Sequence, residues 1–367
     1  VSSALQESLN EFFKKYNSAV SVEYMSNIEI EEGLNLNVCM DARYVIPKKV
    51  KEFLPDIVIS FGGNIFAGIK EQFRKFAGEF EHWLVQEDGR VVDLYKSITT
   101  IFECKPEYFF QYCVKVADKD QLNDREYYHG LKNYVDSVVY PDFPYSHVYA
   151  IKEMVEKIPS DSILHLSIND SIRITNFFKL NPRIKTYANI GTHGIDGCLS
   201  SFLGQAAAGN KQSYLVIGDL AFFYDMNAMR LRHIKNNVHV LLINNEGGSE
   251  FYFNHMWKDE ASDLHTTARH HTKAEGWVKS NNFIYLSAHD KESMQEALKE
   301  FMRSDLDKPV FLEVFTEMKT DSDVIYDFFD LSRPKDVQSE TIRRSKEFIK
   351  ATIGQEKAQK IAGLFKK

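Results

Sequence analysis

Apolar positions in the second half of the chain fall into six short runs, at 163–168, 184–187, 214–217, 238–243, 282–286 and 310–315. Each is four to six residues long and continuous rather than alternating, the pattern of strands buried on both faces of a sheet. Segments with helical spacing lie between them, notably 197–208 and 225–233. Ahead of these, 5–16 has helical spacing of Leu, Phe and Tyr, and 65–80 repeats it. Residues 21–25 and 56–60 read as short strands, and 81–92 as a strand, a turn at Asp88-Gly89 and a returning strand. Strands alternating with helices predict an α/β chain with parallel sheets and helices on their faces. The expected organisation is two doubly wound parallel-sheet domains, 1–116 and 146–335. A charged, tyrosine-rich linker at 117–145 would join them, and a basic helical tail would follow at 336–367.

Composition narrows the function classes. A net charge of −7 over 367 residues gives no basic surface for phosphate backbones, which argues against a nucleic-acid partner. No apolar run approaches the roughly 20 residues a spanning helix needs, and residues 1–16 lack the apolar core of a signal peptide. Cys39, Cys104, Cys113 and Cys198 have no CxxC spacing, which predicts reduced, buried thiols and a cytoplasmic protein without a zinc site.

Candidate chemistry follows the strands. Run 214–217 leads into Gly218-Asp219-Leu220. Some 26 positions on, run 238–243 ends in Asn244-Asn245, followed by Glu246-Gly247-Gly248. In doubly wound sheets ligands bind at the carboxyl ends of the strands. Asp219, Asn245 and the Gly247 carbonyl are hard oxygen donors of the kind magnesium takes beside phosphate oxygens and water. Glycines at 218, 247 and 248 let the backbone come close to an ion and to phosphates.

A GD at one strand end and an NN at the next resemble the signature of thiamine diphosphate enzymes. Residues 189–197 (NIGTHGIDG), 218–228 (GDLAFFYDMNA), 244–251 (NNEGGSEF) and 55–63 (PDIVISFGG) look like the corresponding runs of the 2-succinyl-5-enolpyruvyl-6-hydroxy-3-cyclohexene-1-carboxylate synthase family. The resemblance covers roughly residues 40 to 318. It implies a middle domain followed by a diphosphate-binding domain, with thiamine diphosphate and Mg2+ as cofactors and a 2-oxo acid as substrate. Asp219, Asn245 and Gly247 would bind the metal, and Leu220 and Ala221 would offer amides to the diphosphate at a helix N-terminus. Ile195 would bend the cofactor and the Gly194 backbone would bond its aminopyrimidine; Gly218, Gly248 and Phe251 would complete the cofactor site. The resemblance also implies a homo-oligomer such as a homodimer. It further implies a pyrimidine-binding domain, carrying the activating glutamate, that this chain does not contain; this chain alone is then expected not to turn over.

Some positions depart from the family pattern. Ile190 stands where the family has arginine and Gly68 where it has lysine, with Lys70 nearby. Arg173 is one position off the expected spacing, and Glu250 replaces an apolar residue. These changes predict a less anionic substrate than the family's. His193 is a candidate catalytic or substrate-contacting residue. His265, His270 and His271 read as surface or loop histidines, and Phe222, Phe223 and Tyr224 as core. Asp196 and Asp225 read as caps heading helical runs. The alternative function is a non-catalytic binding or regulatory module on the same fold. A nicotinamide enzyme is disfavoured because no G-x-G-x-x-G follows an early strand.

Overall fold

The computed structural model describes residues 1–331 except 31, 41–46, 64, 66–67, 118–122, 192 and 254–263. The expected tail at 336–367 lies outside the described residues.

The described residues form two all-parallel sheets. The smaller contains β1 (Ile57–Phe61), β2 (Glu81–Val85) and β3 (Ile98–Phe102) in that spatial order. The larger contains β4 (Ile163–Leu166), β5 (Lys185–Ala188), β6 (Ser213–Gly218), β7 (Val238–Asn244), β8 (Ile284–Ala288) and β9 (Val310–Phe315), in the order β5-β4-β6-β7-β9-β8. All six runs expected in the second half are strands, and helices are interleaved with the strands throughout. The chain is α/β, as expected.

The larger sheet separates two cores because successive side chains in a strand point to opposite faces. Tyr214, Val216, Leu241, Ile243, Leu312 and Val314 enter one core, with helices His147–Val155, Asp170–Thr175, Lys291–Phe301 and Met318–Leu331. Leu215, Ile217, Val240, Leu242 and Phe311 enter the other, with helices Cys198–Ala208, Asp219–Asp225 and Glu275–Ser280. All seven residues of β7 are buried, so this strand has no solvent face. Local signals agree with the packing. Asp290 and Ser293 form a reciprocal capping box on helix Lys291–Phe301, and Pro106 occupies the first turn of helix Pro106–Val116.

The first sheet departs from expectation in several places. Residues 21–25 form no strand: Ser21 makes a single bridge to Leu34, and Tyr24–Ser26 is a 3-10 turn. No strand returns after Asp88-Gly89. The third strand lies further on, at Ile98–Phe102, and runs parallel to β2. The helix expected at 65–80 is only Ile69–Arg74, followed by turns. Beyond β6 the helix is Asp219–Asp225 rather than 225–233, and Met226–Arg230 is a 3-10 segment. Cys39 and Cys198 are buried as expected, but Cys104 and Cys113 are half-buried.

The N-terminal segment is stitched to the edge of the larger sheet. Asn27 accepts a hydrogen bond from the Thr186 amide (2.7 Å) and donates to the Thr186 carbonyl (2.9 Å), occupying the outer side of β5. The Tyr24 hydroxyl donates to the Phe178 carbonyl, and Lys185 pairs with Glu29 at 2.5 Å. Among the described residues no helix is long and apolar enough to cross a membrane.

Candidate functional site

From β4 the chain moves outward to β5, then returns past β4 to β6 and continues outward through β7. The carboxyl ends of β4 and β6 therefore flank the point where the winding reverses, where open α/β sheets form their ligand crevice. Asn169-Asp170 follows β4, Asp219 follows β6 and Asn245 follows β7.

Asp219 is buried and begins its helix. Its Oδ1 accepts from the Leu220 amide (2.6 Å) and its Oδ2 from the Gly247 amide (3.0 Å), so the ends of β6 and β7 are joined through this carboxylate. The His270 Nε2 lies 3.4 Å from the same Oδ2. The nearby Asp219 carboxylate raises the His270 pKa against the effect of burial. His270 lies on a loop, as expected, but its ring is largely enclosed beside Asp219, whereas His265 and His271 are exposed. Beside it a cavity of about 450 Å³ is lined by Leu220, Phe223, Met226, His270, Lys273 and Trp277, among others.

Gly247 has φ +152°, and a Cβ there would lie 2.7 Å from the Thr267 carbonyl oxygen and 2.8 Å from Met318. Gly248 donates to that same Thr267 carbonyl at 2.7 Å. Segment 267–270 therefore lies directly on the double-glycine turn, and Phe251 follows, exposed, on helix Ser249–Phe253. Gly218 has room for a side chain: nothing lies within 4 Å of the point a Cβ would occupy.

Asn245 is buried and donates its Nδ2 to Asp321 Oδ2 at 2.9 Å. Asp321 also accepts from Thr316 Oγ1 (2.7 Å) and from the His147 amide (2.8 Å). The buried His147 ring sits 3.2 Å from Asp321 and 3.6 Å from Asp170, without hydrogen-bond alignment to either. Burial alone would lower the His147 pKa, but the two carboxylates outweigh it and raise it to about 10. Burial would raise the Asp170 carboxyl in turn, but His147 and Arg173 hold it well below the usual range. Asp170 further accepts from Ser249 Oγ at 2.9 Å, which ties the end of β4 to the turn after β7.

Two residues that departed separately from the family pattern meet here. Arg173 Nη1 donates to Glu250 Oε2 at 2.7 Å and lies 3.3 Å from Asp170. Burial and the nearby Asp170 charge raise the Glu250 pKa. Ile190 packs against the larger core, and Lys70 donates to the Ile65 carbonyl.

His193, Gly194 and Ile195 lie on the loop after β5, along the same edge of the sheet as Asp219 but separated from it by β4. Ile195 is half-buried between both cores. His193 is exposed, with φ +54°. The loop is held by Asn189, which donates to the Asp196 carbonyl at 3.1 Å. Asp225 ends helix Asp219–Asp225 and precedes the 3-10 segment Met226–Arg230, and its carboxylate accepts from the Ser200 amide in the first turn of helix Cys198–Ala208. Phe222 is core, Phe223 is half-buried at the cavity, and Tyr224 is 71% exposed and so not core.

The donor set at the strand ends suits a hard divalent cation. Asp219 supplies a buried carboxylate, Asn245 an amide whose nitrogen is already committed, and Gly247 a turn that no side chain can fill. Among the described residues no group of three or more His, Cys, Asp or Glu is placed to hold a metal ion. Asp219 and Asn245 were readable as oxygen-bearing residues at strand ends. His270, Asp321, His147 and Asp170 were not, because their relation to the site depends on contacts between distant positions.

No family model matches the chain. Among curated proteins it is similar to the 2-succinyl-5-enolpyruvyl-6-hydroxy-3-cyclohexene-1-carboxylate synthase of Phocaeicola vulgatus, 33% identical over 288 residues, covering 77% of this chain and 51% of the relative. The synthase of the same name from Bacteroides fragilis is 34% identical over 286 residues (77% and 51%), and that from Flavobacterium psychrophilum 31% over 282 (76% and 50%). The chain spans about half the length of the curated relatives it matches. By this likeness, carried through most of its length, the chain is similar to about half of a 2-succinyl-5-enolpyruvyl-6-hydroxy-3-cyclohexene-1-carboxylate synthase and resembles that family.

Proposed function

We propose that this chain supplies the diphosphate- and magnesium-binding part of a thiamine diphosphate-dependent 2-oxo acid decarboxylase or carboligase. The observation that carries the reading is the Asp219–Gly247 bond across the ends of β6 and β7, with Asn245 beside it. Asp219, the Asn245 amide oxygen and the Gly247 carbonyl would hold Mg2+. The helix opening at Asp219 would place the Ala221 amide among those left unpaired in its first turn, where an anion is favoured. Ile195, wedged between the two cores, would press on the cofactor from the β5 loop, with the Gly194 backbone and Phe251 as further contacts. Bound thiamine diphosphate supplies the electron sink for a 2-oxo acid losing carbon dioxide. His193 would face the substrate.

The same reading divides the chain at the segment 117–145 and adds a pyrimidine-binding domain, on the same or a separate polypeptide, and a homo-oligomeric, cytoplasmic enzyme. It also includes a substrate less anionic than that of the relatives. Arg173 is shared between Asp170 and Glu250, so its charge is largely answered from within the chain.

The test is calorimetric titration of thiamine diphosphate with Mg2+, repeated in EDTA and with Asp219→Ala. Binding is expected to vanish in both controls, and binding that survives either one overturns the reading. With cofactor bound, pyruvate should bind more tightly than 2-oxoglutarate; the reverse order removes the substrate proposal.

A further inference from the structure

We propose that Asp321 is a positioning residue for the cation site: it fixes which end of the Asn245 amide faces the metal. The inference rests on the reading above and goes one step behind it.

A carboxylate at this position can only accept hydrogen bonds, whereas an amide has a donor end and an acceptor end. Asn245 therefore has to turn its nitrogen toward Asp321, at 2.9 Å, which leaves the amide oxygen for the cation. Asp321 is itself held. It is fully buried, and Thr316 Oγ1 donates to the same oxygen that takes Asn245. The other oxygen takes the His147 backbone amide and lies 3.2 Å from the His147 ring. His147 reaches Asp170, which accepts from Ser249 just after the double-glycine turn. The orientation of Asn245 is thus braced by groups following β4 and β9 as well as its own strand. Partners of this kind behind a metal ligand typically contribute about 10–100-fold to metal affinity.

An asparagine at 321 would remove the constraint. Its NH2 group would have to face either the Asn245 nitrogen or the His147 amide, both donors. The Asn245 amide can relieve the conflict by turning over, which withdraws its oxygen from the cation. Exchanging the two residues restores a donor-to-acceptor pair with its polarity reversed.

The experiment measures the Mg2+ affinity of the protein by calorimetry at fixed thiamine diphosphate, for the wild type, Asn245→Ala, Asp321→Asn and the exchanged pair Asn245→Asp with Asp321→Asn. Circular dichroism accompanies each variant to check folding. Asp321→Asn is expected to weaken Mg2+ binding about 10–100-fold, and the exchanged pair to recover to within a few-fold of wild type. If Asn245→Ala loses the metal while folded Asp321→Asn keeps it, the positioning role is overturned and the cofactor reading stands. If Asn245→Ala keeps the metal, or the wild type takes up none, both fall. Should Asp321→Asn fail to fold, the exchanged pair decides alone: metal affinity near wild type supports the role, and its loss assigns Asp321 to structure only.

Discussion

Gly247 and Gly218 stand at adjacent strand ends, yet their backbones impose different demands. At Gly247 the φ of +152° is one that side chains rarely adopt, and a Cβ would meet backbone oxygen at 2.7 Å. At Gly218 the φ is −82° and the space beside it is open. Gly247→Ala is therefore expected to destabilise the fold by roughly 1–3 kcal/mol, the range for a residue forced into a sparsely populated conformation. Gly218→Ala should stay within about 1 kcal/mol of wild type. Urea denaturation of the two variants checks this, and equal losses would mean that the Thr267 contact does not constrain the turn. The need for glycine at 247 was legible, because Gly-Gly after a buried strand signals close backbone approach. The imidazole of His270 beside Asp219 was not: its loop position carries no periodicity, and the two residues lie 51 positions apart.

At the scale of the element, β7 is the wall shared by two cores. Leu241 is fully buried on one face and Leu242 on the other. Leu241→Ala should cost about 2–5 kcal/mol, the range for a leucine removed from a close-packed core. A fall in the denaturation midpoint with unchanged m-value is the expected readout, and a loss under about 1 kcal/mol would contradict the packing. Strands of this kind were legible because an unbroken apolar run has no other stable home in a chain of this type. The smaller sheet was harder to read. Residues 21–25 alternate like a strand, but among the described residues they find a single bridge partner, Leu34, so the local pattern alone did not make a strand. Arg90–Val92 looked like a returning strand, yet Val91 is 67% exposed, and β2 takes its parallel partner from Ile98–Phe102 instead. A turn at Asp88-Gly89 suggests reversal, but it cannot show which later segment completes the sheet.

For the whole molecule, enclosed histidines divide the pH axis. His147 has a pKa raised from its usual 6.5 to about 10, so its contribution is complete below about 6.5 and is lost as pH rises toward 10. Desolvation lowers the pKa values of half-buried His165 and buried His239 to about 4, so their contribution is present above about 6.5 and is lost as pH falls toward 4. Stability should accordingly peak near pH 6.5. In His147→Gln the alkaline decline should flatten while the acid decline remains. Urea midpoints between about pH 5 and 9 measure both limbs, and an unchanged alkaline slope in the variant would remove His147 as its cause. None of this was legible beforehand, since His147 and Asp321 lie 174 positions apart and only the completed fold brings them together. The overall class was legible, because strand and helix periods alternate plainly along the chain. The docking of the N-terminal segment has a different kind of consequence. β5 is an outermost strand, and Asn27 satisfies the outward amide and carbonyl of Thr186 with a single side chain. An uncovered strand edge is a template on which another chain can add its own strand. Replacing Asn27 by alanine is therefore expected to lower solubility in a crowded solution more than the melting point of an isolated molecule.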